Sequence, residues 1–201
     1  MTSQRQGSRR PRSSRDERAE LILRTASRLF TAHGVHAVGM DRLIAETGLG
    51  KMSVYRVFPT KDELVGAYLD RLAEQTLGYI DADIERFADQ PARALLAILD
   101  AIETDLRRSD FRGCPFGNAA SEFDRADHPA RRVARTYRSR LLERLERLTS
   151  QIAPDGGPSL ARRLAVLIDG AYLSAAHLGW DGPASEGLAL ARALIAATRR
   201  P

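Results

Sequence analysis

The sequence predicts an all-α fold: an N-terminal three-helix unit with a helix-turn-helix, followed by a larger helical body, with roughly nine helices altogether. Three observations support this. Apolar residues recur at three- and four-residue spacing along most of the chain. Gly and Pro interrupt that spacing at intervals typical of helix ends. No segment alternates apolar and polar residues as a half-buried strand does, and no repeat is evident.

The composition is that of a water-soluble protein. Of 201 residues, 43% are hydrophobic and 28% are charged, which is enough to form a core. No apolar run approaches the roughly 20 residues that cross a bilayer, so no membrane partner is expected. The Arg- and Ser-rich start lacks the apolar stretch of a secretory signal. The lone Cys114 has no partner for an internal disulfide, and a cytoplasmic location is predicted.

Positive charge is concentrated in the first third of the chain. Residues 1–61 hold 12 Lys and Arg against 5 Asp and Glu, a net charge of +7. Residues 62–201 hold 19 against 21, a net charge of −2. This asymmetry indicates a polyanion-binding unit on a nearly neutral body. A basic tail without a partner is the alternative.

Three regions are predicted: a disordered basic arm over 1–14, a helix-turn-helix unit over 15–60 and a ligand-binding and dimerisation body over 61–201. The arm has two open interpretations, contact with a DNA backbone or minor groove and a solvated tail. Its arginines are Arg5, Arg9, Arg10 and Arg12.

The first unit begins with a helix from Arg15 that ends at Gly34, where glycine favours a helix stop. One face of this helix is predicted to carry Ile22, Ala26, Leu29, Phe30 and His33. Two short helices follow. The apolar positions of these two helices are Met40, Leu43, Ile44 and Thr47 in one, and Val54, Tyr55 and Phe58 in the other.

The body begins with a long helix at Lys61, for which Thr60 is a suitable N-cap and Glu63 completes a capping box. A break rich in Gly and Pro interrupts the body at 111–117. The remaining predicted helices cover Pro91–Arg108, a short segment ending at Phe123, and about 130–152, 159–179 and 184–199.

The two short helices of the first unit have the pattern of a helix-turn-helix. Gly48 can adopt the left-handed conformation of the turn, and the small Ala45 lets the helices approach closely. Leu49 and Val54 attach the second helix to the first. Its other side is left polar and fits a major groove about 12 Å wide. An ordinary surface helix is the alternative. The outward residues are Lys51, Met52, Ser53 and Arg56.

The stretch from Ala26 to Leu69 resembles the TetR/AcrR family of bacterial repressors. The most specific parts are Ile44–Leu49, with its glycine turn, and Val54–Leu64, where Tyr precedes Phe by three residues and a Lys-Asp-Glu-Leu helix start follows. The resemblance implies that a double-stranded operator is bound. The implied DNA contacts are Arg42, Lys51, Met52, Ser53, Tyr55, Arg56 and Lys61.

Three positions differ from the common family pattern. Gly39 and Gly50 stand where Thr and Ser often cap the two short helices, and Val57 stands where His is frequent. The resemblance therefore implies fewer capping and phosphate contacts here.

A homodimer is predicted, because one helix-turn-helix unit offers few contacts and two match a palindrome. Small residues at four-residue spacing indicate that the last two helices pair closely with a second copy. Packing within one chain is the alternative. The predicted dimer residues are Gly170, Ala171, Ser174, Ala175, Leu188, Ala191, Leu194 and Ile195.

The resemblance also implies an unidentified small-molecule effector, which the central helices would enclose. The predicted lining residues are Leu99, Ile102, Leu106, Cys114, Phe116, Asn118, Phe123, Tyr137, Leu141, Tyr172, His177 and Trp180. Each of them also suits a plain core position. Cys114 has two interpretations, a redox-sensing thiol and an inert cysteine.

An enzyme is not expected, and neither is a metal or cofactor. His33, His36, His128 and His177 form no ligand motif with Cys or carboxylates. The segment 48–51 has the glycines of a phosphate loop but follows a helix and lacks a Ser or Thr directly after its Lys. A Cys114–His128 hydrolase would need an orienting group and an oxyanion hole. The second functional hypothesis is a helical scaffold that binds small molecules or proteins without reading DNA.

Overall fold

The computed structural model describes residues 14–198, and within that range the chain forms nine α-helices and no strand. This confirms the predicted all-α class. The predicted arm lies outside the described residues except for Ser14, where the first helix begins. The helices are α1 (Ser14–His33), α2 (Met40–Thr47), α3 (Lys51–Val57), α4 (Lys61–Arg86), α5 (Pro91–Leu106), α6 (Pro115–Glu122), α7 (Pro129–Ile152), α8 (Gly157–Leu178) and α9 (Pro183–Ala197).

Local signals set the helix ends in the first part of the chain. Gly34 has φ 80° and donates its N–H to the Phe30 carbonyl at 2.8 Å, which ends α1. The Thr60 hydroxyl accepts the Glu63 N–H at 3.1 Å, so Thr60 caps α4 as predicted. The α5, α6, α7, α8 and α9 helices each carry Pro in the first turn, where the missing N–H costs no helical hydrogen bond.

A close backbone contact joins α7 to α8. The hydroxyl oxygen of buried Thr149 lies 2.8 Å from both the Leu145 and the Gly157 carbonyl oxygens, and the hydroxyl can donate its hydrogen to either one. A Cβ atom on Gly157 would lie 2.6 Å from Cα of Ser150. Only glycine therefore fits the start of α8.

The described residues form two compact units that meet inside α4, between Tyr68 and Leu69. This boundary comes later than the predicted one after residue 60, because the first turns of α4 belong to the core of the first unit. There Leu64 and Val65 are fully buried, and the Tyr68 ring meets Phe30 edge-on at 5.3 Å. In the same unit α1 packs against α2 and α3.

The second unit is centred on α8, which packs along α7 and α9, while α5 contacts all three helices and α6 lies on α7. Ion pairs connect α7 to the part of α4 in this unit. The Arg144 guanidinium donates to both carboxylate oxygens of Asp81 at 2.6 and 2.8 Å, and Arg140 pairs with Glu74. The Arg144 side chain is only 15% exposed, so this pair is better shielded from water than the other.

Candidate functional site

The turn between α2 and α3 is built from glycine and threonine. Gly48 has φ 67°, the left-handed conformation predicted for it. Buried Thr47 donates its hydroxyl to the Ile44 carbonyl at 2.8 Å and accepts the Leu49 N–H at 3.2 Å. This double role of Thr47 was missed in the sequence, although Thr at a helix end is a known capping signal. Ala45 is exposed, so the prediction that it allows close helix approach is wrong.

The third helix is short and is attached through one buried side chain. Val54 is fully buried and is the buried residue of α3. Gly50 precedes the helix without a side-chain cap, as does Gly39 for α2. An α-helix with its side chains is about 10–12 Å across, so α3 fits a major groove about 12 Å wide.

The outer side of α3 carries the residues expected to contact DNA. Met52 is 71% exposed, so its large apolar side chain is available for contact with a partner. Lys51 and Arg56 are also exposed, while Ser53 and Tyr55 are half-buried. All seven predicted contact residues lie in the first unit or in the α4 turn that belongs to it. Their roles in DNA binding remain predictions.

Lys51 has two neighbours on this surface. Its ammonium lies 3.4 Å from a carboxylate oxygen of Asp41 in the first turn of α2. It also lies 5.9 Å from the centre of the Tyr55 ring. The structure therefore brings Lys51 and Tyr55 together, and it adds Asp41, which the sequence analysis did not select.

Two other predicted contacts are also held by local partners. The Arg42 guanidinium donates to the His33 ring nitrogen Nε2 at 2.9 Å, and Lys61 donates to the His36 carbonyl at 3.3 Å. Both contacts are exposed and water competes with them, so replacing either local partner by a phosphate costs little free energy. Arg56 forms no ion pair within the described part of the chain.

Several predicted effector residues come together inside the second unit. The rings of Phe116 and Tyr137 stack with centres 3.8 Å apart. The Tyr172 hydroxyl donates to the Asp105 carboxylate at 3.1 Å. Burial, followed by the nearby Cys114, raises the pKa of Tyr137 to about 12. Burial and then Asp105 raise the pKa of Tyr172 as well. Both tyrosines therefore remain neutral at physiological pH.

Three groups beside these tyrosines were not predicted from the sequence. Asp105 follows Ile98 and Ile102 on one face of α5, and a carboxylate on an apolar face was an available signal. Phe111 lies 5.8 Å from the Tyr172 ring, and Arg138 pairs with Asp169. The other predicted lining residues include Leu99, Leu106 and Leu141, which lie in the core, and the half-buried Ile102. The ring of Phe123, also predicted, stacks on the His128 ring with centres 3.7 Å apart.

Two predicted effector residues lie on the surface, so their assignment to an interior pocket is wrong. His177 is exposed and its ring nitrogen Nδ1 lies 2.8 Å from the Leu173 carbonyl of its own helix. Asn118 is exposed and donates to the Arg112 carbonyl at 2.8 Å, which fixes the loop before α6. Trp180 is half-buried, and its ring centre lies 4.7 Å from the guanidinium of exposed Arg107.

Five of the eight predicted dimer residues are buried within one chain, so their assignment to an exposed interface is wrong. These are Ala171, Ala175, Leu188, Ala191 and Ile195. The small residues serve contact between α8 and α9 of the same chain: a Cβ on Gly187 would lie 3.7 Å from the Leu167 carbonyl oxygen. This is the alternative that the sequence left open. Gly170 is exposed, while Ser174 and Leu194 are half-buried.

No metal site is formed by the described residues, since no group of three or more His, Cys, Asp or Glu side chains could hold an ion. In the same range of residues, no helix has both the length and the apolar content needed to cross a membrane.

The fold and the turn geometry define a helix-turn-helix protein. A family model described as "Bacterial regulatory proteins, tetR family" matches residues 22–68. Among the curated relatives is the regulator YxaF of Bacillus subtilis, 30% identical over 129 residues, or 60% of this chain and 64% of YxaF. The activator FasR of Mycolicibacterium smegmatis is 33% identical over 115 residues, or 52% of each chain. The matches thus span about half to two thirds of these relatives.

Solved structures are similar over a greater length. The TetR-family regulator SCO4454 of Streptomyces coelicolor superposes with a TM-score of 0.84 at 28% identity, covering 92% of this chain and 97% of that one. A Streptomyces avermitilis regulator has a TM-score of 0.75 at 26% identity, covering 92% and 99%. The helix-turn-helix region therefore matches the TetR family model, and most of the chain is similar to solved TetR-family regulators, in agreement with the expected resemblance. The similar proteins named here are regulators rather than enzymes.

Proposed function

We propose that this protein represses transcription by binding a palindromic DNA operator as a homodimer and releases the operator when a small molecule binds its body. The observation that carries the proposal is the α2–turn–α3 geometry. Val54 is buried on one side of α3, while Lys51, Met52 and Arg56 are exposed on the other. A short helix with one anchored face and one polar face suits insertion into a major groove.

Each predicted contact residue has a proposed role. Lys51, Met52 and Ser53 lie in the first turn of α3 and would face base edges, where Met52 suits a thymine methyl group. Tyr55 and Arg56 would contact phosphates. Lys61, at the start of α4, and Arg42, in α2, would add two further phosphate contacts, because a helix N-terminus also attracts anions.

The dimer would use the exposed apolar faces of α8 and α9 in place of the buried residues. On α8, Val166 and Leu173 are 70% and 65% exposed and share a face with Gly170. On α9, Leu190 is 51% exposed. Exposed leucine and valine on neighbouring helices are typical of a surface covered in an assembly. Two α8–α9 pairs would then form a four-helix interface.

The effector would bind near the aromatic cluster of the second unit. Tyr137 and Tyr172 supply neutral hydroxyl groups there, and Phe116 supplies an apolar surface. The helix α4 belongs to both compact units, so a ligand that favours another position of α4 would change DNA affinity. A bound ligand without effect on DNA affinity would refute this coupling.

The test is selection of bound fragments from the source genome by the purified full chain. We expect a recurring palindrome with half-sites about one helical turn apart. Tyr55→Ala and Lys61→Ala should weaken binding to all fragments, whereas Met52→Ala should change the preferred base in each half-site. Lack of enrichment by the wild-type protein would favour the scaffold without DNA recognition.

A further inference from the structure

A carboxylate stands among the cations expected to face DNA. Asp41 lies in the first turn of α2 with its side chain 89% exposed, and its carboxylate is 3.4 Å from the Lys51 ammonium. Among the described acidic residues, it is Asp41 that forms an ion pair with α3. By contrast, Glu46 of the same helix pairs with Arg28 of α1 at 2.5 Å.

This ion pair is a poor candidate for a structural element. Both side chains are mostly exposed, 65% for Lys51 and 89% for Asp41, and pairs of this kind contribute little to stability. On a surface that approaches phosphates, however, a carboxylate acts in two ways. It repels the polyanion, and it competes with phosphate for the Lys51 ammonium.

We propose that Asp41 is a specificity-determining residue that weakens binding to DNA in general and is compensated only at the correct sequence. The compensation requires a hydrogen-bond donor on a base edge. In the major groove, the cytosine N4 amino group is the donor best suited to a carboxylate. Asp41 therefore selects cytosine at one position of each half-site and raises the ratio of operator affinity to non-specific affinity.

This inference rests on the proposed DNA binding and is tested by measuring the affinity of full-length Asp41→Asn and wild-type protein for two duplexes of equal length. One is an operator chosen by the wild-type protein from a random library, and the other is an unrelated sequence. We expect Asp41→Asn to bind the unrelated duplex roughly three- to tenfold more tightly at about 0.1 M salt. The affinity for the operator should rise less, so the ratio of operator affinity to non-specific affinity falls. The salt dependence for the unrelated duplex should steepen by about 0.9 in log–log slope, because Lys51 finds no matching base edge there and, once released from Asp41, can neutralise one more phosphate.

Glu46→Gln is the matched control, since it removes the same charge from the same helix but leaves Lys51 paired. It should change both affinities less than twofold. If both variants bound DNA more tightly by the same factor, Asp41 would act only through its general charge, and the proposal would be overturned. Unchanged or weaker DNA binding by Asp41→Asn would also overturn it.

Library selection with Asp41→Ala tests the base preference directly. This variant should lose the cytosine preference at one position of each half-site and keep the others. An unchanged consensus would overturn the base preference. Wild-type protein that binds no duplex in a salt-dependent way would refute the proposed DNA binding itself. Wild-type protein that binds DNA, together with an Asp41→Asn variant of identical affinity, would refute only the role of Asp41.

Discussion

Replacing Val54 by Ala is expected to loosen α3 while leaving the rest of the first unit folded. Val54 is fully buried and is the buried residue of this seven-residue helix. Two lost methyl groups cost about 1.6 kcal/mol of transfer free energy, and the residual cavity raises the total to about 2 kcal/mol. A helix this short is not stable without tertiary contacts, so the loss falls on the attachment of α3.

Amide hydrogen exchange of the peptide covering 50–58 measures this effect. A loss of about 2 kcal/mol corresponds to roughly thirtyfold faster exchange where opening is local. Val57→Ala is the matched control, because it makes the same change in the same helix at a half-buried position. It should accelerate exchange less than fivefold, which corresponds to a free-energy loss below about 1 kcal/mol. Equal acceleration by the two variants would refute the claim that Val54 anchors the helix.

Three further outcomes are expected from the second unit. Gly157→Ala should lower the free energy of unfolding by more than about 2 kcal/mol in urea titrations, since its Cβ would meet the end of α7, whereas Gly156→Ala, with open space around it, should change it by under about 1 kcal/mol. Hydrogen bonding to Arg144 lowers the pKa of Asp81 in the folded state, so its stabilising contribution is complete above the unfolded pKa of about 4 and is lost as pH falls through the folded value. Arg144→Ala should flatten the loss of stability in acid, and an unchanged pH profile would contradict that assignment. Leu173→Glu should convert the proposed dimer to a monomer in light-scattering measurements, and a dimer that persists would move the interface elsewhere.

Local signals in the sequence predicted helix ends well because each acts within a few residues. The φ of Gly48 and the hydrogen bond to Thr60 depend on the residue itself and its neighbours along the chain. Proline in the first helical turn is equally local, which explains why the α5 and α7 starts agree closely with prediction.

The choice between faces of one helix depends on distant parts of the chain. Ala171 has the spacing expected of a helix–helix contact, and the contact exists, but the partner is α9 of the same chain. Periodicity identifies a packed face without identifying what packs on it. Asp41 and Asp105 were missed for a related reason, because their importance comes from Lys51 and Tyr172, which lie in other helices.

The salt dependence of DNA affinity tests the central claim most directly. Fluorescence anisotropy would give the dissociation constant of the full chain for a selected duplex and an unselected one between about 50 and 200 mM salt. We expect a linear fall of log affinity with log salt for both, with the selected duplex tighter throughout. Affinity that is insensitive to salt, or identical for the two duplexes, would contradict the claim that α2 and α3 read DNA.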